Sequence, residues 1–200
     1  SSSSRRSTRA IAAAALAVSM LAAGFTGISS ATAASTTNVA YLSASSANTW
    51  LQASKVQMDK IAKKNKIKIT EFDAQFKPGE QAKQIQDVIA SGKYKALIIA
   101  SVDGAGIIPS LKDALDAGLK VGILNQVVGT ALDTAKPQFA GPSVVVMVPP
   151  KVSGERLGKL TLKACEGKAA CKVVFFYGIK GIPLDTAIKE GYDAVIATNP

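Results

Sequence analysis

The feature that most constrains this chain is a repeat of short apolar runs separated by segments with helical periodicity. Four β-rich runs occupy residues 38–43, 66–72, 95–100 and 120–125. Their first apolar residues are 39, 67, 97 and 121, so the steps are 28, 30 and 24 residues, each the length of a strand followed by a helix. Strands that alternate with helices predict an α/β fold with a doubly wound parallel sheet and helices on both faces.

The three segments between these runs carry apolar residues at helical spacing. Pro78 suits the first turn of the second helix, Asp103 is a candidate N-cap for the third, and Gly118 is expected to end it. The predicted apolar faces consist of Leu51, Met58, Ile61 and Ala62; of Ala82, Ile85, Val88 and Ile89; and of Ile107, Ile108, Leu111, Ala114 and Leu115.

After residue 125 the repeat changes, and we interpret the change as the start of a second lobe. This part has two predicted strands, at 143–148 and 172–178. A predicted helix follows each strand. Ser153 is a candidate cap for the first of these helices, and the second has an apolar face that includes Gly191. Two parallel strands leave faces and edges uncovered, so we expect an incomplete lobe. The predicted division is a signal peptide at 1–33, an N-terminal βα lobe at 34–126 and a partial C-terminal βα lobe at 127–200.

The N-terminal segment predicts export. Arg5, Arg6 and Arg9 precede an uncharged apolar stretch at 10–24, and Ala31-Thr32-Ala33 gives small residues at the positions that a signal peptidase recognises. We therefore expect the periplasm or the extracellular face of the cell envelope. In such an oxidising compartment Cys165 and Cys171 are expected to form a disulfide, with two buried thiols as the alternative.

The charge balance is basic, with 24 Lys and Arg against 14 Asp and Glu and a net charge of +10. Removing the three N-terminal arginines leaves 21 against 14, or +7. The lysines are scattered without interleaved aromatic residues, which favours a solvated surface and argues against nucleic acid as a partner.

The predicted loops after the strands favour binding over catalysis. In a parallel sheet, ligands bind beyond the carboxyl ends of the strands, where this chain has small, amide and acidic residues. No G-x-G-x-x-G follows the first strand, no Ser lies in a G-x-S-x-G setting, and the chain has no His. We therefore expect no cofactor, no metal and no enzymatic activity. An exported α/β enzyme remains the less favoured alternative.

Three stretches carry a resemblance to a known family: VAYLSASSANTWLQASKVQMDKIAKK, ALIIASVDGAGIIPSLKDALDAGLKVGILNQ, and FFYGIKG followed by IKEGYDAV. Their order and spacing resemble the ribose-binding-protein-like class of periplasmic binding proteins, the extracytoplasmic receptors of sugar ABC importers. The resemblance covers about residues 38–200. It implies a two-lobe type I fold whose second lobe is incomplete here, a sugar held between the lobes, a membrane permease as partner, and a monomer.

The resemblance also implies ligand-binding residues. Asn48 and Trp50 match the family's sugar-contacting Asn and stacking aromatic, whereas the family's second aromatic falls on Leu51. An Asp-Arg pair of the family is replaced by Asn125-Gln126. A second-lobe Arg falls near Thr186, and Asp103 lies in the loop after the third strand.

Structural alternatives stay open for these residues. Asn48 and Asp103 are also candidate helix caps, and Asn125 is a candidate partner for its own loop backbone. Trp50 has the alternative of an apolar plug at a helix start. The functional alternative is a sensory receptor that presents the same ligand to a membrane kinase.

Overall fold

The computed structural model describes residues 36–178 and 182–198. The predicted signal peptide lies outside the described residues. The elements in chain order are β1 (Thr37–Ser43), α1 (Thr49–Lys64), β2 (Ile67–Asp73), α2 (Pro78–Ser91), β3 (Ala96–Ile99), α3 (Ile108–Asp116), β4 (Lys120–Leu124), β5 (Val144–Val146), α4 (Pro150–Cys165) and α5 (Pro183–Ile196).

The strands form one parallel sheet in the order β2-β1-β3-β4-β5. The first four strands and three helices confirm the predicted repeat. Helix α2 begins at Pro78 as expected, and Gly118 follows α3 in the left-handed region at φ 87°, where a residue with a side chain would be strained.

Alternate residues of the strands face opposite sides of the sheet. Ala40 and Leu42 pack with α2 and α3, where Ile85 and Leu111 are fully buried. Tyr41 faces the other side and packs with Leu51 of α1. Helices therefore lie on both faces of the sheet, as in a doubly wound fold, although Val144 and Val146 of β5 remain about half exposed on the α1 side.

The strand at 143–148 was expected to open the second lobe, and this prediction is wrong. Residues Val144–Val146 form β5, which pairs in parallel with β4 in the same sheet. Ser143 N–H donates to Val121 O at 2.8 Å, and Asn125 N–H donates to Val146 O at 2.8 Å. The chain returns beside β4 through a loop without a helix, which is why the change in the repeat resembled a lobe boundary.

The segment 172–178 was predicted as a buried strand, and this prediction is also wrong. It forms no strand among the described residues, and most of its side chains are exposed, with Val174 at 74% and Phe176 at 87%. Phe175 lies against Tyr192 of α5, with ring centroids 4.9 Å apart. The β-rich composition is present, but no described strand lies beside this segment to satisfy its backbone.

Three local predictions need smaller corrections. Helix α4 begins at Pro150 and contains Ser153, which therefore does not cap it. Helix α3 begins at Ile108, after a turn at 104–107, so Asp103 precedes this turn. Ile61 was placed on the core face of α1 but is exposed, and the buried residues of that helix are Leu51 and Ala62.

Helices α4 and α5 pack mainly against each other, at backbone contact distance. A Cβ added to Gly191 would lie 2.1 Å from Lys151 O, and one added to Gly154 would lie 1.9 Å from Ile188 O. The predicted disulfide between Cys165 and Cys171 is present, with Cα atoms 5.6 Å apart, and it joins the end of α4 to the segment 172–178.

Candidate functional site

The sheet order fixes where a ligand site is expected. The chain leaves β1 in one direction, toward β2, and later places β3 on the opposite side of β1, so the topological switch point lies between β1 and β3. In open parallel sheets, ligands bind beyond the carboxyl ends of the strands at this point. We call the loops 44–48, 100–107 and 125–142, which follow β1, β3 and β4, the carboxyl edge.

Asn48 caps α1 and keeps a free amide. Its Oδ1 accepts hydrogen bonds from the backbone N–H groups of Trp50 and Leu51, each at 3.0 Å. The cap interpretation is therefore confirmed. The side-chain NH₂ has no hydrogen-bond partner among the residues that the structure describes, so the cap leaves two donors at the carboxyl edge.

The sequence left two roles open for Trp50, a ligand-stacking ring or an apolar plug at the start of α1, and in the structure Leu51 is the plug. Trp50 is 53% exposed, whereas Leu51 is 4% exposed and packs with Tyr41 and Ala44 beneath it. The apolar plug at the start of α1 is therefore Leu51, and the plug interpretation of Trp50 is wrong. The indole is exposed on the first turn of α1, two residues after the Asn48 cap.

Asp73 holds the loop that carries Asn48. Ser46 Oγ donates to Asp73 Oδ2, and Gln75 N–H donates to Oδ1 at 2.8 Å. The Ser46 hydrogen bond is the main cause that holds the pKa of Asp73 below its usual value. The end of β2 is thus tied to the loop after β1.

Asp103 caps a turn rather than α3 itself. Its Oδ1 accepts from Ala105 N–H at 3.1 Å and from Gly106 N–H at 3.0 Å. The side chain is exposed on the loop after β3, beside the switch point. The cap interpretation therefore holds for the turn 104–107, and Asp103 still lies at the carboxyl edge.

Asn125 and Gln126 follow β4 with their side-chain amides unpaired among the described residues. Asn125 adopts the left-handed conformation at φ 63°, which Asn tolerates better than most residues. Its backbone N–H is bonded to β5, but its side chain does not bond the loop backbone. Both amides are half-buried, at the carboxyl end of the strand next to β3.

Thr186 is the one predicted ligand residue that lies away from this group. It is exposed on α5, and its Oγ1 donates to Ile182 O at 3.0 Å within the same helix. Asn48, Trp50, Asp103, Asn125 and Gln126 follow the adjacent strands β1, β3 and β4, whereas no described contact brings Thr186 to them.

Gln81 is a residue of this edge that the sequence did not reveal. It is fully buried on α2, where its Nε2 donates to Ala100 O at 3.0 Å and to Leu42 O at 3.4 Å, and its Oε1 accepts from Val102 N–H at 2.9 Å. One side chain thus joins the ends of β1 and β3 across the switch point. The available signal was a glutamine four residues before Ile85, on the apolar face of α2.

Two cavities of the described chain lie elsewhere. One of about 480 Å³ is at the disulfide turn, and one of about 370 Å³ lies between loop 130–133 and the helices α4 and α5. Neither is lined by the predicted ligand residues. No group of three or more His, Cys, Asp or Glu is placed to hold a metal ion within residues 36–178 and 182–198. Within the same ranges, no helix combines the length and apolarity needed to cross a membrane.

Comparison with known families gives a match over most of the chain. The profile of the family described as "Periplasmic binding protein domain" matches residues 39–200. No curated protein matches the chain in sequence.

Solved structures share the fold at low sequence identity. A galactofuranose binding protein is 26% identical with a TM-score of 0.68, over 82% of this chain and 53% of that chain. The periplasmic component of the arabinose ABC transporter from Shewanella sp. ANA-3, bound to α- and β-L-arabinofuranose, is 25% identical with a TM-score of 0.66, over 82% and 51%. The fructose-binding periplasmic domain of a hybrid two-component system is 17% identical with a TM-score of 0.64, over 82% and 51%.

The chain therefore spans about half the length of the solved structures that it matches. The likeness confirms the predicted parallel α/β architecture of type I periplasmic binding proteins, and the half-length match fits the expectation of an incomplete second lobe.

Proposed function

Because the chain belongs to the periplasmic binding protein family, we propose that it is an exported receptor that captures a sugar or a sugar-like solute at the carboxyl edge. The receptor binds its solute without chemical conversion and acts as a monomer.

The observation that carries the proposal is the pair formed by Trp50 and Asn48. The exposed indole offers a flat apolar face, which suits the C–H face of a sugar ring. The unpaired NH₂ of Asn48 offers donors to ring hydroxyls. An aromatic wall beside polar donors is the usual composition of a site for a small polar ring.

The neutral amides across the switch point supply the other contacts. Asn125 and Gln126 each have an amide without a partner among the described residues, and amides both donate to and accept from hydroxyl groups. Asp103 contributes a carboxylate. In this proposal Thr186 belongs to the opposite wall of an interlobe cleft, which closes over the solute.

Relatives suggest which sugars to test first. Two structures at 25–26% identity are those of a galactofuranose binding protein and of a receptor bound to arabinofuranose. Five-membered-ring sugars are therefore the first candidates, followed by their pyranose forms.

The partner in this proposal is the membrane permease of an ABC importer, as for the arabinose transporter component among the structural relatives. The alternative is a sensory receptor, and the fructose-binding domain of a two-component system has the same fold. Deletion of the receptor gene separates the two: loss of sugar uptake supports transport, and loss of sugar-dependent transcription with intact uptake supports sensing.

The test is a titration of the full-length exported protein with a sugar panel, followed by calorimetry and by Trp emission. With the sugar that binds, Trp50→Ala should lower affinity by about 1–3 kcal/mol, by analogy with aromatic stacking on bases, and leave the Tm of the free protein nearly unchanged. Other tryptophans of the full-length protein need to be replaced before emission is assigned to Trp50.

Leu51→Ala is the matched control, because it is the buried neighbour of Trp50. It should lower the free energy of unfolding by about 2–5 kcal/mol. A steep loss of Tm with unchanged affinity in Trp50→Ala would refute the stacking role. Tight sugar binding by residues 34–200 alone would refute the two-lobe cleft, because one lobe leaves the solute half solvated.

A further inference from the structure

The end of the sheet opposite the carboxyl edge carries a dense group of lysines. They lie at the end of α1 and at the beginnings of β2, β3 and β4, and all are exposed. We call them the basic end: Lys63, Lys64, Lys66, Lys68, Lys93, Lys95 and Lys120.

Backbone hydrogen bonds place three of these lysines in one row. Thr37 N–H donates to Lys66 O at 3.0 Å, and Lys120 N–H donates to Lys95 O at 3.1 Å. Lys95 N–H donates to Asn38 O at 2.9 Å, which links the two pairs through β1. Neighbouring strands are about 4.8 Å apart, so the row from Lys66 to Lys120 extends about 14 Å across the end of the sheet.

The basic end has no compensating acid within its own segments. Residues 60–68, 91–96 and 117–121 contain no Asp or Glu. The ion pairs of the described residues join Lys55 to Asp59, Lys83 to Asp87 and Lys189 to Asp193, and none includes a lysine of the basic end. The negative end of the α1 helix dipole stabilises the charges of Lys63 and Lys64 in its last turn, but this effect is confined to that turn. The rest of the row is an unpaired positive surface.

We propose that the basic end binds the anionic surface of a phospholipid membrane. A row of lysines across the end of a sheet, rather than along a groove, suits a broad charged surface, and each lysine close to it strengthens attachment by about fivefold, or about 1 kcal/mol. A single-stranded nucleic acid would instead need aromatic faces between the charges. Tyr94 lies between Lys93 and Lys95, but its ring packs against Phe72 at 5.9 Å and is half-buried.

Attachment through the basic end leaves the opposite end of the sheet free. The loops after β1, β3 and β4 then face away from the membrane, so a protein held in this way still has its carboxyl edge open to solution. The attachment is therefore independent of the solute-binding function proposed above, and its failure would leave that function untouched.

The experiment is co-sedimentation of the full-length exported protein with vesicles at low and high salt. Vesicles that contain phosphatidylglycerol should bind the protein at low salt and release it at high salt, whereas pure phosphatidylcholine vesicles should not bind it. Lys66→Glu/Lys95→Glu/Lys120→Glu should lower the partition coefficient on the order of 100-fold, from three contacts of about fivefold each.

A matched triple variant, Lys159→Glu/Lys163→Glu/Lys168→Glu, changes the net charge equally on α4 and its C-terminal turn, and it should retain most of the binding. If the first Lys→Glu triple variant folds poorly, Lys66→Gln/Lys95→Gln/Lys120→Gln should also lower binding to the anionic vesicles. Equal binding to phosphatidylcholine vesicles, or equal losses in both triple variants, would overturn the proposal. Binding of duplex DNA through the basic end without binding of vesicles would overturn it in favour of a nucleic acid.

Discussion

The sheet with α1, α2 and α3 and the helix pair α4–α5 use apolar residues in opposite ways. In the first region, residues such as Leu97 and Leu111 are fully buried between the sheet and its helices. In the second region, Val174, Phe176 and Leu160 are largely exposed, and the two helices are held by backbone contact at Gly154 and Gly191. An apolar run therefore becomes a core strand only where neighbouring strands are present to receive it.

The first prediction tests this contrast directly in residues 34–200. Leu97→Ala should lower the free energy of unfolding by about 2–5 kcal/mol, because it leaves a cavity in a closed core. Val174→Ala should change it by less than about 0.5 kcal/mol, since the side chain is 74% exposed. Urea unfolding measures both. A large loss in Val174→Ala would show that the segment 172–178 is covered, and the contrast would fail.

The second prediction concerns what holds the helix pair. Gly191→Ala should lower the free energy of unfolding by about 1–3 kcal/mol, because the added methyl group meets Lys151 O and the helices must separate. Gly79→Ala is the matched control on a helix of the sheet region, where a Cβ meets nothing within 4 Å. It should be neutral or slightly stabilising. Equal effects of the two changes in thermal unfolding would argue against close packing of α4 and α5.

The third prediction sharpens the role of polar groups inside the sheet region. Gln81→Met keeps the side-chain volume but removes the partner of Val102 N–H and of Ala100 O, whereas Leu42 O still accepts from Ala100 N–H. The cost should be about 1–3 kcal/mol in the free energy of unfolding. It should also weaken binding of any solute found by titration, because it loosens the ends of β1 and β3.

Gln84→Met is the control for this change. Gln84 donates only one hydrogen bond, to Asp73 O at 2.8 Å, and its Oε1 is buried without a partner among the described residues. Its replacement should cost less in unfolding and leave affinity nearly unchanged. Equal effects on affinity would remove the argument that Gln81 positions the carboxyl edge.

The smallest predicted effect is a pH dependence at Asp73. The Ser46 hydrogen bond lowers the pKa of the folded carboxyl, so its stabilisation is present above the unfolded pKa of about 3.9 and is lost as pH falls through the lower folded pKa. Ser46→Ala should weaken this dependence without abolishing it, because Gln75 N–H still donates to Asp73. The change at neutral pH should be below about 0.5 kcal/mol, because the group is near the surface. Unfolding measured at a series of acidic pH values checks it. An unchanged acid profile in Ser46→Ala would exclude the hydrogen bond as its cause.

Features that depend on residues within one short segment of the chain were predicted well from the sequence. The first four strands, the Pro78 helix start, the Asn48 cap and the disulfide are set by residues close together in the chain, and the structure confirms them. The pairing of β5 with β4 was missed because a parallel pairing joins segments that are far apart in sequence. Gln81 was missed because a polar residue on a helix usually indicates the solvent face.

The candidate site was predictable in part for the same reason. Position after a strand placed Asn48, Trp50, Asp103, Asn125 and Gln126 at one edge, as the sheet order confirms. Thr186 was predicted only from the resemblance of the second lobe to the family. The strand at 172–178 that was expected to position it is not formed among the described residues. The contacts of all six residues with a solute stay predictions.

The left-handed backbone of Asn125 restricts which side chains this position can hold. At φ 63° Gly, Asn and Asp are favoured over other residues, so most substitutions of Asn125 carry a backbone cost. Gln126 and Trp50 have no such backbone constraint. Under the proposed function, a change of solute is therefore expected to involve these two positions more often than position 125, where Asn also suits the turn after β4.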